Sequence, residues 1–266
     1  CEAADVTAGT CPMLGLPIAV DGPRVDATDV TSLTYYNADA TGCPGASSTC
    51  LYRKGDLRQV INLLGQATEV LAYDGAGRAL SVRDVNNVVT DLEYVGSRGW
   101  LQAVKQRGAD AATEVDDAIT RFTYDDIGQV LTVTAPDGGV TTLIYDDARR
   151  LIEQRDDDGN KLHFTLNRAG DSVQEQALTS GDVVKRSLSR IYDDLSRLKT
   201  VPDANSATTS FTYDASDNAD VATDALSRAT DSDVDALNRV LQVVGNTGGG
   251  TADKATSNFE YDARDH

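Results

Sequence analysis

The chain is poor in the residues from which most active sites are built. It has two histidines, His163 and His266, and neither has a partner at metal-ligand spacing. His163 falls between Leu162 and Phe164 in a strand pattern, which points its ring outward or toward an edge, and no His-Glu-x-x-His motif occurs. A Gly-x-Ser-x-Gly elbow is absent, and so is a phosphate-cradling loop ending in Gly-Lys-Ser/Thr. With one tryptophan, Trp100, and 6% aromatic residues, little is left to stack sugars, which argues against a carbohydrate-active enzyme on a β-solenoid. The run Asp156-Asp157-Asp158-Gly159-Asn160 lacks the alternation and closing Glu of a calcium loop and reads as a solvated turn. These absences predict no enzyme, no metal site and no cofactor.

Positive charge is scarce as well. Lys and Arg number 24 against 42 Asp and Glu, for a net charge of −18 and a pI near 4.3. That disfavours nucleic acid and anionic membrane surfaces, whose phosphates call for clustered cations. No stretch of about 18 apolar residues exists to span a bilayer. A basic segment leading into an apolar one, the mark of a signal peptide, is not visible either. Four cysteines, Cys1, Cys11, Cys43 and Cys50, allow three connectivities. Pairing Cys1 with Cys11 and Cys43 with Cys50 is the most economical, because each bridge would staple a loop that has no core of its own. Zinc ligation calls for tighter paired spacing. Disulfides imply an oxidising compartment, so the chain is expected to be secreted or cell-surface.

What the sequence does contain is a repeat. An apolar residue, any residue, then Tyr-Asp recurs, with tyrosines at Tyr73, Tyr124, Tyr145, Tyr192, Tyr213 and Tyr261 and degenerate copies at Tyr94, Leu166 and Val234. One and the same interval separates Tyr73 from Tyr94, Tyr124 from Tyr145, Tyr145 from Leu166, Tyr192 from Tyr213 and Tyr213 from Val234. Between anchors stand two β-branched-rich runs with period-two alternation, joined by turn formers such as Asp137-Gly138. Each unit therefore predicts a β-hairpin. Large apolar residues stand two before the anchors (Leu92, Phe122, Leu143, Phe164, Phe211, Phe259), and others follow at seven and nine after, as Leu131 and Val133 do after Tyr124. All have odd offsets and can line one face with the tyrosines, while the even positions are polar and suit water. Tyr73, Tyr94, Tyr124, Tyr145, Tyr192, Tyr213 and Tyr261 are the expected repeat core. After each anchor, Asp-x-x-Gly-Arg, as in Asp74-Gly75-Ala76-Gly77-Arg78, reads as turn chemistry.

Three parts are expected: residues 1–34, an irregular opening with the first repeat strand; 35–72, a repeat whose turn is swollen by a cysteine-containing insertion; and 73–266, a continuous array. Three connections within the array are enlarged: Gly108–Asp116, Thr179–Val183 and Asn246–Lys254. The anchors that close them, Tyr124, Tyr192 and Tyr261, follow one another at almost equal intervals, a higher period of three hairpins per long loop.

The phrase at Tyr73–Tyr94, Tyr-Asp-x-x-Gly-Arg-x-Leu-x-x-Val-x-Asp, resembles the YD repeat of bacterial Rhs proteins, shared with the C components of insecticidal toxin complexes and with teneurins. The resemblance runs from about Val30 to Tyr261. It implies an all-β spiral or solenoid of hairpins in a curved sheet, part of a hollow shell that in Rhs and toxin-complex relatives encloses a C-terminal effector. The shell-closing core with its autoproteolytic aspartates and a variable toxin tail has no match here, and the chain stops inside a fresh repeat, as a segment of a longer polypeptide would. The expected partners are therefore the rest of its own polypeptide, further copies joined through β-edges, or an enclosed effector. An extracellular adhesin or filament built through open edges is the alternative.

Overall fold

The computed structural model describes residues 1–9, 11–22, 29–41, 50–109, 113–203, 205–246 and 254–262. They are nearly all β and divide into two compact units, Cys1–Val140 and Thr141–His266. The first unit holds a short helix α1 (Ala3–Thr7) and strands β1 (Ala19–Val20), β2 (Thr31–Tyr35), β3 (Leu57–Ile61), β4 (Ala67–Tyr73), β5 (Ala79–Arg83), β6 (Val89–Val95), β7 (Trp100–Gln106), β8 (Ala118–Tyr124) and β9 (Val130–Thr134). The second unit is entered at β10 (Val140–Tyr145) and continues with β11 (Leu151–Arg155), β12 (Lys161–Leu166), β13 (Ser172–Leu178), β14 (Val184–Ser189), β15 (Ile191–Tyr192), β16 (Leu198–Pro202), β17 (Thr208–Tyr213), β18 (Ala219–Thr223), β19 (Ala229–Val234), β20 (Val240–Asn246) and β21 (Lys254–Asn258). Within each unit every assigned pairing is antiparallel and joins strands consecutive in the chain, without crossovers. These are the hairpins that the alternating runs predict.

One turn recurs at both ends of the hairpins. At the end after Tyr73, Gly77 N–H bonds Asp74 C=O at 3.1 Å and Asp74 N–H bonds Arg78 C=O at 2.9 Å. The far end repeats this at Asp84: Asn87 N–H to Asp84 C=O at 3.1 Å, Asp84 N–H to Val88 C=O at 2.9 Å. The fourth residue is left-handed, glycine at Gly77 and Gly128 but Asn87, Ser196, Ser227 and Asn238 elsewhere, which a type I turn closed by a left-handed residue requires. At the tyrosine end an extra residue interrupts the register beside the anchor. Thr123 pairs with Thr132 and Tyr124 with Val130, leaving Leu131 unpaired. This bulge sets Phe122 opposite Val133, and Phe211 opposite Ala222 in its own repeat. A repeat of odd length would otherwise flip its side chains at each hairpin; the extra residue restores the face.

No large side chain among the described residues is fully buried. The deepest positions depart from the alternation pattern. Ala72, Ser81, Ala103 and Lys105 are buried, with Ser81 6% and Lys105 9% exposed, yet they lie on the polar face. The β7–β8 connection explains it. Glu114 reaches back to Lys105, which also holds Glu93, while Arg107 grips Asp91 at 2.6 Å. The resulting open cleft of 540 Å³ is lined by Asp91, Glu93, Lys105, Arg107 and Glu114, all held in ion pairs, and by Asp117, which accepts Gly108 N–H.

The opening segment is tied by a Cys1–Cys11 disulfide with Cα atoms 5.7 Å apart. Cys43 lies outside the described residues, as do His266, most of the 246–254 connection and the middle of 108–116. In the swollen turn Tyr36 and Tyr52 stack at 3.6 Å, and Tyr36 Oη donates to Val70 C=O at 2.6 Å. The enlarged connections cap the long hairpins β7–β8, β13–β14 and β20–β21.

In the second unit one ladder stops short. β15 pairs with β16 only at Ile191↔Thr200 and Tyr192↔Leu198. The next hydrogen-bonded pair would join Ser189 to Pro202. Since Asp203 N–H bonds Ala207 across the following turn, alternation aims the backbone nitrogen of Pro202 at Ser189. Proline has no N–H to give there.

Candidate functional site: the interlocked Tyr-Asp corners

The aspartate after each anchor organises its turn. Asp193 Oδ1 accepts Leu195 N–H at 3.0 Å and Arg197 N–H at 2.9 Å, while Oδ2 accepts Arg197 Nε at 2.8 Å. The same set recurs at Asp74 with Ala76 and Arg78, and at Asp235 with Leu237 and Arg239. Asp146 holds Arg150 likewise. The backbone N–H and then the guanidinium hold the carboxyls of Asp146, Asp193 and Asp235 below the ordinary range. At Asp224 the order is reversed, guanidinium first. The turn reading of these aspartates therefore covers half of what they do; they also aim an arginine.

That arginine points at the next tyrosine. The Arg78 guanidinium lies 4.5 Å from the Tyr94 ring, Arg197 4.6 Å from Tyr213 and Arg239 4.7 Å from Tyr261. Each of these tyrosines returns a hydrogen bond to the residue after the arginine: Tyr94 Oη to Ala79 C=O at 3.1 Å, Tyr213 to Leu198 at 2.7 Å, Tyr261 to Val240 at 2.8 Å. Tyr73 donates to Leu57 at 2.6 Å and Tyr124 to Leu101 at 2.6 Å. Asp fixes Arg, Arg covers the next Tyr, and that Tyr caps a carbonyl beside the Arg. Cation–π and hydrogen-bond terms of about 1 kcal/mol each are thus delivered at the Arg78–Tyr94, Arg197–Tyr213 and Arg239–Tyr261 corners. Burial pushes the Tyr73 phenol up to about 12 and raises Tyr124 as well. Tyr145 and Tyr192 end their strands at the same register, opposite Leu151 and Leu198.

Where the spacing between anchors lengthens, from Tyr94 to Tyr124, a substitute takes over. Trp100 sits 5.3 Å from the Tyr124 ring, with the Arg98 guanidinium 4.9 Å above it. A Cβ on Gly128 would stand 2.8 Å from the indole, at a φ of +96°, so this corner takes glycine for both space and backbone conformation. Sequence reasoning had no role for Trp100 or for the arginines; the recurrence of Arg at a fixed offset after the anchors was the available signal. His163 faces Glu153 at 3.5 Å across the strand pair. Among the described residues no cluster of His, Cys, Asp and Glu fits a metal ion, and no helix is long and apolar enough to cross a membrane. The corners fasten one repeat to the next.

Residues 124–161 match the RHS repeat family. No curated protein matches the chain. Among solved structures, it is similar to the TcdB2-TccC3-Cdc42 crystal structure, with a TM-score of 0.55 and 14% identity over 94% of this chain and 16% of that one. The crystal structure of TcdB2-TccC3 without its hypervariable C-terminal region gives 0.54 and 14% over 92% and 15%. A Photorhabdus luminescens Tc holotoxin pore with mutant TccC3 gives 0.52 and 14% over 93% and 15%. The chain thus spans about a sixth of the structures it matches. Residues 124–161 thus carry an RHS repeat, and the aspartate–arginine corner recurs on both sides of that stretch, at Asp74 with Arg78 and at Asp235 with Arg239.

Proposed function

We propose that the chain is a non-catalytic length of wall in a secreted shell that encloses or scaffolds an effector polypeptide. The observation that carries this reading is the construction of the wall itself. It is built of consecutive antiparallel hairpins, several of them clasped at the tyrosine corner, with the fold of the TcdB2-TccC3 structures over more than nine-tenths of its length. Stacked hairpins gain stability from their neighbours, so such a wall can be extended without a closed core. Lys105, Glu93, Glu114, Arg107 and Asp91 in the cleft beside the β7–β8 connection are spent on each other, which suits a wall better than a catalyst. Electron microscopy of the natural full-length polypeptide tests the reading. Closed, hollow particles with internal density are expected. Indefinite fibres would overturn it in favour of the adhesin or filament.

A further inference from the structure

The β13–β14 hairpin carries a feature that the wall does not use. Arg190 N–H bonds Val173 C=O, so alternation turns the backbone groups of Leu188 and Arg186 toward β13 and those of Ser187 outward. Among the described residues no strand pairs along that outer edge, and Val184 to Ser187 are exposed. Lys185 is the residue left over between the pairs Ala177↔Arg186 and Leu178↔Val184, a bulge, and it makes no ion pair or hydrogen bond among the described residues. From Val183 to Tyr192 there is no acid and there are three cations, Lys185, Arg186 and Arg190, in a chain of net charge −18. Glu175 serves the two arginines, at 2.7 and 3.6 Å, from the other side of the ladder.

We infer that the outer edge of β14 is a docking site for an extended acidic peptide, which adds as an antiparallel strand. Ser187 would supply the backbone pair, Lys185 and Arg186 would meet adjacent acidic residues, and Val184 and Leu188 would meet apolar ones. A second copy of the 183–192 stretch is the poorer occupant, because it brings three more cations and no acid to the edge. The inference stands apart from the shell reading, since peptide binding is measured on the chain whatever particle it builds.

The test is fluorescence anisotropy of the full chain with a labelled peptide, Thr-Val-Asp-Glu-Thr-Val. Controls are the same peptide with Lys-Lys in place of Asp-Glu, and the acidic peptide N-methylated along one edge. The acidic peptide is expected to bind, with a loss of about tenfold or more for either control. Lys185→Glu with Arg186→Glu should weaken binding to the same degree. Ser187→Pro should abolish it with the circular dichroism unchanged, because the N–H it removes points away from β13. Equal binding of all three peptides, no binding of the acidic one, or undiminished binding to the charge-reversed variant would overturn the site. So would sedimentation showing that the chain dimerises through this edge. If Ser187→Pro unfolds, the N-methylated peptide still decides whether the backbone is used.

Discussion

Two junctions in the molecule follow a long hairpin and occupy equivalent places in the array, yet one is zipped and the other is not. After β7–β8, Arg121 pairs with Thr134 and Phe122 with Val133, so the ladder between β8 and β9 holds four successive pairs. After β13–β14 the corresponding residues are Ser189, Arg190 and Pro202, and the ladder holds two. A cation replaces the apolar residue before the anchor, and a proline replaces the donor across from it. The corner survives both changes: Asp193 still grips Arg197, and Arg197 still covers Tyr213. Ladder and clasp are therefore separable devices, and the clasp keeps the array in register where the ladder lapses.

The largest effect should come from transplanting the interruption. Thr134→Pro removes a donor aimed at β8, since Ala135 N–H turns the other way to Gly139. It should cost about 2–3 kcal/mol, read by urea unfolding through Trp100 fluorescence; an unchanged midpoint would deny that the ladder matters there. The reverse change, Arg190→Phe with Pro202→Thr, should stabilise the second unit by about 1–2 kcal/mol. The backbone amide created at position 202 should then be protected from hydrogen exchange.

Changing pH sharpens the same contrast by acting on clasps and not on ladders. Asp146, Asp193 and Asp235 have native carboxyls held below their ordinary 3.8. Their contribution is present above the carboxylate range and is lost as pH falls through the native values. Tyr73 works in the opposite sense. Its phenol, at about 12 against 10.0 when unfolded, binds its proton more tightly in the native state, so stability is lost as pH rises from 10 toward 12. The urea midpoint should thus decline at both extremes, and Tyr73→Phe should remove part of the alkaline decline.

Much of this was legible in the sequence. Tyrosine spacing, alternation and turn residues are local rules, and they placed the hairpins and the aspartate turns. The bulge at Leu131 was not legible, because an unpaired residue shows only once two strands are laid side by side. Arg78 stands in the turn before β5 and Tyr94 near the end of β6. They meet only across a finished hairpin, so the clasp was hidden in what looked like a solvated arginine. Lys105 was hidden too: its offset from Tyr94 is odd, and its place opposite Asp91, beneath Glu114, shows only once the strands are paired. Pro202 was visible as a residue, but its effect depends on which strand its nitrogen faces.

The claim on which the account turns is that each corner is energetically joined to the next. A double-mutant cycle on Arg78→Ala and Tyr94→Leu, followed by urea unfolding with Trp100 as reporter, measures that joint directly. A coupling of about 0.5–1 kcal/mol is predicted. Strict additivity of the two substitutions would contradict it and reduce the corners to independent turns.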